Sequence, residues 1–204
     1  MAGALAFGDW IAVSPGVRAK RVEYLLKPAV MLALIAVAVC LDPENGAQRA
    51  WFVAGLVLSF AGDVFLMLPS DAFVPGLASF LLAHVAYVVG FAVGGLSGGW
   101  AVAGLAVVAV AGGTLGRKIV RTVNAGDHRE LVVPVAAYMT VISAMVVLAF
   151  GSAEAFAIVG ALLFFSSDAL IAWDRFVAPK TWARPAIMVT YHLAQAGLVL
   201  SLSR

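Results

Sequence analysis

The sequence predicts an all-α integral membrane protein with eight transmembrane helices in a single domain, residues 1–204. Of its 204 residues, 63% are hydrophobic and only 12% are charged, and the mean hydropathy is +1.03. Soluble domains contain roughly 45 to 50% apolar residues, so this composition indicates a chain that lies in lipid. A helix needs about 20 apolar residues to cross a bilayer, so this length holds seven or eight spans and no soluble domain.

Seven apolar stretches separated by short loops each predict one crossing helix. A shorter apolar segment, residues 1–13, precedes them. It is compatible with a tilted or membrane-thinning span, with an interfacial helix or with the remnant of a longer N-terminus, and we count it as the first span. Its positive charges follow the apolar stretch, unlike those of a cleaved signal peptide, so we expect the segment to be retained. The longer predicted spans are 24–41, 51–68, 74–93, 100–115, 131–150, 155–172 and 184–202.

Lys and Arg residues are concentrated in alternate loops. Because such residues near span ends favour the cytoplasm, these loops are predicted to be cytoplasmic and both termini to lie outside a cell membrane that the chain crosses several times. No basic arm accompanies the small net charge of +2, so we expect no nucleic-acid partner. The loop residues are Arg18, Lys20 and Arg21, then Arg117, Lys118, Arg121 and Arg129, and then Arg175, Lys180 and Arg184.

Two aspartates, Asp63 and Asp168, lie inside the predicted third and seventh spans. An ionised carboxylate at the centre of a membrane helix costs about 2.5 to 3.5 kcal/mol, so such groups usually mark a pathway or a reaction site. Each aspartate is followed by an apolar turn and then by D-x-F-V, at 71–74 and 174–177. This echo favours two parallel four-helix halves, with the two carboxyls at one depth near the cytoplasmic side.

Histidine, tyrosine, serine and glutamine side chains accompany the two aspartates along the spans. A buried acid or a buried water requires such partners, so we expect one polar pocket to gather the aspartates and the span histidines. A polar residue in a membrane bundle often bonds only a neighbouring helix, and this is the simpler interpretation of each serine. The predicted substrate-orienting or water-orienting residues are His84, Tyr87, Tyr138, Ser167, Tyr191, His192 and Gln195.

Four short motifs resemble the YhhN/TMEM86 family of lysoplasmalogenases. They are G-D-V-F-L-M-L at 62–68, F-x-x-x-H-x-x-Y at 80–87, S-D-x-L-x-A at 167–172 and Y-H-L-A-Q at 191–195. Their order and spacing extend the resemblance over nearly the whole chain, and the first segment is its weakest part. The resemblance implies a membrane enzyme that hydrolyses the alkenyl ether bond of a lysoplasmalogen to a fatty aldehyde and glycerophosphoethanolamine or glycerophosphocholine.

Two buried carboxyls suit this chemistry. Vinyl ether hydrolysis begins with proton transfer to the carbon beta to the oxygen, which creates an oxocarbenium ion that water then attacks. The step needs one protonated acid and one negative charge, as in glycosidases, which also use two carboxyls. We therefore predict that Asp63 and Asp168 are catalytic, in either order of roles. Lys27 is the first candidate to bind the phosphate of the lysophospholipid at the cytoplasmic rim.

Two other functions are compatible with these residues. A proton-coupled transporter would also use paired intramembrane carboxylates, although the prolines near predicted span ends, Pro28 among them, weigh against broken transporter helices. A metal-dependent hydrolase would need three firm protein ligands, whereas the spans offer two histidines outside any zinc-binding array. We therefore expect no cofactor, with the lysophospholipid substrate and the bilayer as partners.

Overall fold

The structure is a computed structural model that describes residues 1–17, 20–70 and 72–203. These ranges form helices and connecting turns, without a strand. Arg18 of the predicted charge pattern and Asp71 of the predicted repeat lie outside the described residues. The helices are α1 (Ala2–Ala12), α2 (Lys20–Cys40), α3 (Gly46–Met67), α4 (Phe73–Gly94), α5 (Gly98–Ala111), a π-helical segment (Gly112–Gly116), α6 (Arg117–Ala125), a 3-10 turn (Arg129–Leu131), α7 (Val132–Gly151), α8 (Ala155–Phe176) and α9 (Ala183–Leu200).

Six helical segments in the described ranges are long and apolar enough to cross a membrane. They are α2, α3, α4, the continuous helix from α5 through α6, α7 with its preceding turn, and α8. Helix α9 has 18 residues and carries Arg184, His192 and Gln195. Helix α1 has 11 residues, about 16 Å of helix, roughly half of the hydrocarbon thickness. The all-α membrane fold is confirmed, whereas eight crossings and two matching halves are not.

The helix ends follow local sequence signals, with one exception. The side chain of Asn45 caps α3: its Oδ1 atom accepts a hydrogen bond of 3.0 Å from the backbone N–H of Gln48. Pro75, Pro134 and Pro185 lie in the first turns of their helices, where a missing amide hydrogen costs little. Pro28 was predicted near a span end, but α2 begins at Lys20 and places this proline inside the helix. That weakens the proline argument against a transporter.

Two helix hairpins, α3 with α4 and α8 with α9, form the most extensively packed parts of the bundle. Helices α1 and α2 pack together beside α9, and α5 packs on α7. Small residues allow the α8–α9 approach: a Cβ atom on Gly160 would lie 2.9 Å from the Leu198 amide nitrogen and 3.0 Å from the Ala194 carbonyl oxygen. Because these neighbours are backbone atoms, the two helices are already as close as they can be.

The variant Gly160→Ala is expected to destabilise the protein, because the added methyl group must push α8 away from α9. Overpacking of this kind costs about 1 to 3 kcal/mol. The melting temperature of purified protein in detergent measures the effect. Gly99→Ala is the matched control, since a Cβ atom there meets nothing within 4 Å. Equal melting temperatures for the two variants would show that the close approach is not required.

Candidate functional site

Asp63 lies near the end of α3 in a fully enclosed group of polar side chains. Its Oδ1 atom is 2.8 Å from Lys27 Nζ on α2, and the two side chains are 1% and 5% exposed. Its Oδ2 atom accepts a hydrogen bond of 2.6 Å from the hydroxyl of Tyr191 on α9. We call these three residues the Asp63 cluster. Each carboxylate oxygen therefore has a donor, and one of the donors is an ammonium group.

Asp168 on α8 lies in a second group, which we call the Asp168 cluster. Its Oδ2 atom accepts a hydrogen bond of 2.5 Å from the hydroxyl of Tyr138 on α7. Nε2 of His84 on α4 lies 3.5 Å from the same oxygen. The Asp168 side chain is 12% exposed, more than that of Asp63. Asp168 is thus the more accessible carboxyl.

The hydrogen-bonding position of His84 determines which of its nitrogens carries a hydrogen. Nδ1 lies 2.6 Å from the carbonyl oxygen of Phe80, which can only accept, so Nδ1 is the donor. In the neutral ring, Nε2 is therefore an acceptor, and it has no hydrogen-bond partner among the described residues. Nε2 of His84 thus faces Asp168 as a hydrogen-bond acceptor that has no donor.

The four side chains predicted to share one polar pocket lie in three places: His84 lies beside Asp168, whereas Asp63 and His192 each have other partners. Phe164 stands between the two clusters, with ring centroids 4.5 Å from His84 and 5.5 Å from Tyr191. The two carboxyls remain close enough to interact electrostatically, although no described side chain bonds both. The Phe164 ring separates the two aspartates. Asp63 therefore faces α2 and α9, whereas Asp168 faces α4 and α7.

The other predicted site residues link helices around these clusters. The Tyr87 hydroxyl donates to Gln195 Oε1 at 2.7 Å, joining α4 to α9. The Ser167 hydroxyl donates to the Ile187 carbonyl at 3.2 Å, joining α8 to α9. Nδ1 of His192 accepts a bond of 3.1 Å from the Trp10 indole, so this histidine contacts α1 and neither aspartate.

Lys27 occupies a different position from the one that its predicted role requires. It was predicted to bind a phosphate at the cytoplasmic rim, which demands an accessible ammonium group. In the structure this group is buried against Asp63. The physical reason is that α2 begins at Lys20, almost two turns before Lys27, and so carries the lysine into the bundle.

An apolar cavity opens beside Asp168, and sequence reasoning did not predict it. The space between its lining residues is about 750 Å³, a figure that includes the part open to the outside. Among the described residues that line it, only Asp168 and Tyr138 have polar side chains. The wall comes from α3, α4, the α5–α6 helix, α7 and α8: Leu66, Phe73, Leu77, Phe80, Ala111, Leu115, Gly116, Ile119, Val135, Met139, Ile142, Phe165, Ala169, Ile171, Ala172 and Phe176.

The π-helical segment Gly112–Gly116 lies in this wall. It separates the apolar α5 from the basic α6 within one continuous helix. Leu115, Gly116 and then Ile119 face the cavity. Such π-segments occur often at functional sites, because the wider turn changes the direction of the side chains that follow. The pair Gly112 and Gly113 was the sequence sign of an irregularity here.

Asp9 is a further buried carboxyl, which the sequence analysis did not single out. It is 0% exposed on α1, and neither of its oxygens has a hydrogen-bond partner among the described residues. It interacts electrostatically with Lys27 and Asp63. Its short, weakly amphipathic helix gave no sign of this burial. Helix α1 therefore covers the Asp63 cluster.

Comparison with known proteins places this bundle in a family. Residues 22–202 match the YhhN family, a range that contains both clusters and the cavity wall. The chain belongs to the YhhN family. This confirms the resemblance drawn from the four motifs. Helix α1, with Asp9, precedes the matched range.

Several relatives of this YhhN chain carry the name lysoplasmalogenase. It is 35% identical to "Lysoplasmalogenase TMEM86B" of Homo sapiens over 88% of this chain and 75% of that protein. It is 32% identical to the Mus musculus protein of the same name, over 100% and 84% of the two chains. A "Lysoplasmalogenase" of Mycobacterium bovis is 34% identical over 75% and 61%. No solved structure matches the chain significantly.

Proposed function

We propose that this chain is a lysoplasmalogenase, a membrane enzyme that hydrolyses the alkenyl ether bond of a lysoplasmalogen. The lysoplasmalogenase relatives and YhhN membership support this activity. The single structural observation that carries the proposal is a carboxyl group, Asp168, in the wall of an otherwise apolar cavity. The apolar lining suits a lipid chain, and the scissile bond next to that chain then meets an acid.

Asp168 is the proton donor in this proposal. A carboxyl in an apolar wall is less costly as a neutral acid than as a carboxylate. The acceptor on His84 Nε2, 3.5 Å from Oδ2, suits an acid hydrogen on that oxygen, while the Tyr138 hydroxyl occupies another of its lone pairs. These two partners orient the Asp168 carboxyl in the cavity wall.

Asp63 is the ionised carboxyl in this proposal. Lys27 and Tyr191 donate to its two oxygens, and such charge-assisted bonds favour the carboxylate. Repulsion from this neighbouring negative charge helps to keep Asp168 protonated until a positive charge develops on the substrate. The roles that the sequence left interchangeable are thereby assigned. Lys27 acts on Asp63 in this scheme and not on a headgroup.

The reaction then proceeds in three steps. Asp168 gives its proton to the alkenyl carbon beta to the ether oxygen, and the double-bond electrons form the new C–H bond. The oxocarbenium ion that remains lies against the newly formed Asp168 carboxylate, which stabilises it. Water bonds to the adjacent carbon and returns a proton to Asp168. The resulting hemiacetal loses its C–O bond to glycerol, which yields the aldehyde and a free glycerol hydroxyl.

The arrangement in the membrane completes the proposal. We place the protein in the cell membrane as a multi-pass protein, with the basic ends of α6 and α8 in the cytoplasm. The cavity residues Phe73, Ile119 and Phe176 lie near that face, at the start of α4, in α6 and at the end of α8. A lysolipid of the inner leaflet therefore reaches Asp168 with its chain in the cavity.

Purified protein is expected to release fatty aldehyde from lysoplasmalogens, with both products identified by mass spectrometry. The cavity allows a second test, because Ala111→Phe places a ring in its wall on a different helix from Asp168. This variant should lose long-chain substrates selectively, by on the order of tenfold in kcat/KM relative to short chains.

Ala106→Phe on the exposed side of the same helix is the matched control and should keep the wild-type preference. Transport of a solute by the reconstituted protein without any aldehyde would reject the enzyme and favour a transporter. An unchanged chain-length preference in Ala111→Phe would reject the cavity as the chain site.

A further inference from the structure

The cytoplasmic end of the apolar cavity carries cationic side chains that rest on aromatic rings. Lys118 Nζ on α6 lies 4.3 Å from the ring centroid of Trp173 on α8. The guanidinium carbon of Arg175 lies 3.9 Å from the ring centroid of Phe73, which lines the cavity. Cations and aromatic rings in such contacts hold each other in place. The charge is therefore positioned at the cavity and is not spread over a mobile surface.

Lys118 is an exposed basic residue of α6 whose charge is not neutralised by an acid among the described residues. It forms no ion pair with any residue that the structure describes, whereas Lys27 pairs with Asp63 and Arg184 pairs with Glu23. Its chain neighbour Ile119 lines the cavity, and Lys118 itself is exposed. The position thus offers an ammonium group to an anion at the point where a bound lipid chain would emerge.

The spacing along α8 agrees with the length of a lysophospholipid. Trp173 follows Asp168 by five residues, which is about 7.5 Å along the helix. In the substrate, seven bonds of about 1.5 Å separate the carbon that receives the proton from the phosphorus atom, and together they extend over roughly 8 to 9 Å. A substrate whose alkenyl carbon meets Asp168 is therefore long enough for its phosphate to reach the level of the Lys118–Trp173 contact along α8.

We propose that Lys118, held against Trp173, binds the phosphate of the lysophospholipid substrate and so fixes the alkenyl ether bond at Asp168. This inference rests on the proposed function and adds the headgroup site that Lys27 cannot provide. The Lys118 ammonium group and a phosphate form charge-assisted hydrogen bonds. This contact involves the phosphate alone, so it does not depend on whether ethanolamine or choline is attached. The site therefore selects phosphate-bearing lipids and accepts either headgroup.

The test compares two substrates, an alkenyl-glycerophosphoethanolamine and the matching 1-alkenylglycerol, which lacks the phosphate. Lys118→Ala is expected to raise KM for the phosphate-bearing substrate about tenfold or more, with kcat unchanged. Hydrolysis of the alkenylglycerol by the same variant should be unaltered, which also shows that the variant is folded. Lys118→Arg should restore most of the affinity.

Lys180→Ala is the matched control, because Lys180 is exposed and follows α8 at the same face. It removes the same charge and should leave both KM values unchanged. An unchanged KM in Lys118→Ala, or equal losses for both substrates, would overturn the headgroup assignment while aldehyde release still supported the enzyme. A Lys118-dependent effect of inorganic phosphate on alkenylglycerol hydrolysis would indicate a free-phosphate site and overturn it too. No aldehyde from either substrate would reject the proposed function itself.

Discussion

Replacing Asp168 by Asn is expected to lower the rate of aldehyde release by at least about 100-fold, the usual contribution of a positioned general acid. The amide has nearly the shape of the carboxyl, and its oxygen can still accept the Tyr138 hydrogen bond seen at 2.5 Å. It has no acidic proton to give to the alkenyl carbon. Initial rates with a lysoplasmalogen, measured as aldehyde formed, give the effect on kcat and KM separately.

The loss should fall on kcat, because the cavity proposed to hold the lipid chain is unchanged in this variant. Asp42→Asn makes the same chemical change at an exposed position of the loop before α3 and should keep full activity. Tyr138→Phe removes the hydroxyl alone and should reduce the rate less than Asp168→Asn. Near-normal turnover in Asp168→Asn would exclude this residue as the proton donor.

The helices and the two intramembrane aspartates, Asp63 and Asp168, could be predicted from the sequence, because each depends on a local property. Long apolar stretches define most of the spans, since lipid leaves the backbone no partner but its own helix. Asp63 and Asp168 stood out because a carboxylate inside such a stretch is costly without partners. Both do have partners, and Tyr138, Tyr191 and His84 were among the predicted residues.

Which of these groups pair with one another could not be predicted from the sequence, because the pairing depends on contacts between distant segments. Spacing along α2 does not show that Lys27 points at Asp63 on α3 and not at the membrane surface. The same is true of Asp9, whose short helix packs on α2 and α9. The cavity is assembled from single faces of several helices, each of which resembles a lipid-facing surface when examined alone.

The difference between Asp63 and Asp168 could not be predicted from the sequence either. Their positions in the spans predicted two carboxyls at one depth that divide the catalytic roles in either order, and the proposed assignment depends on the side chains around them. Asp63 has an ammonium donor, whereas Asp168 has a hydroxyl donor and a histidine acceptor. That difference in partners leads to a prediction about Lys27, the residue whose position differs most from its predicted role.

Replacing Lys27 by Met is expected to destabilise the protein by about 3 to 5 kcal/mol, the usual cost of breaking a buried ion pair from one side. The Asp63 carboxyl, 1% exposed, would keep only the Tyr191 hydroxyl as a donor. Methionine fills much of the space of the lysine stem, so the effect reports mainly the lost charge. Unfolding of the purified protein in detergent measures the stability of this variant against wild type.

The double variant Lys27→Met with Asp63→Asn distinguishes a structural pair from a catalytic one. Removing both charges relieves the unpaired carboxylate, so its stability should return to within about 1 kcal/mol of wild type, since such replacements are often neutral. Its activity should nevertheless stay low if the Asp63 charge supports catalysis. A double variant with restored stability and full activity would show that the pair serves folding alone. Lys20→Met, at the exposed start of the same helix, controls for the loss of a positive charge on α2.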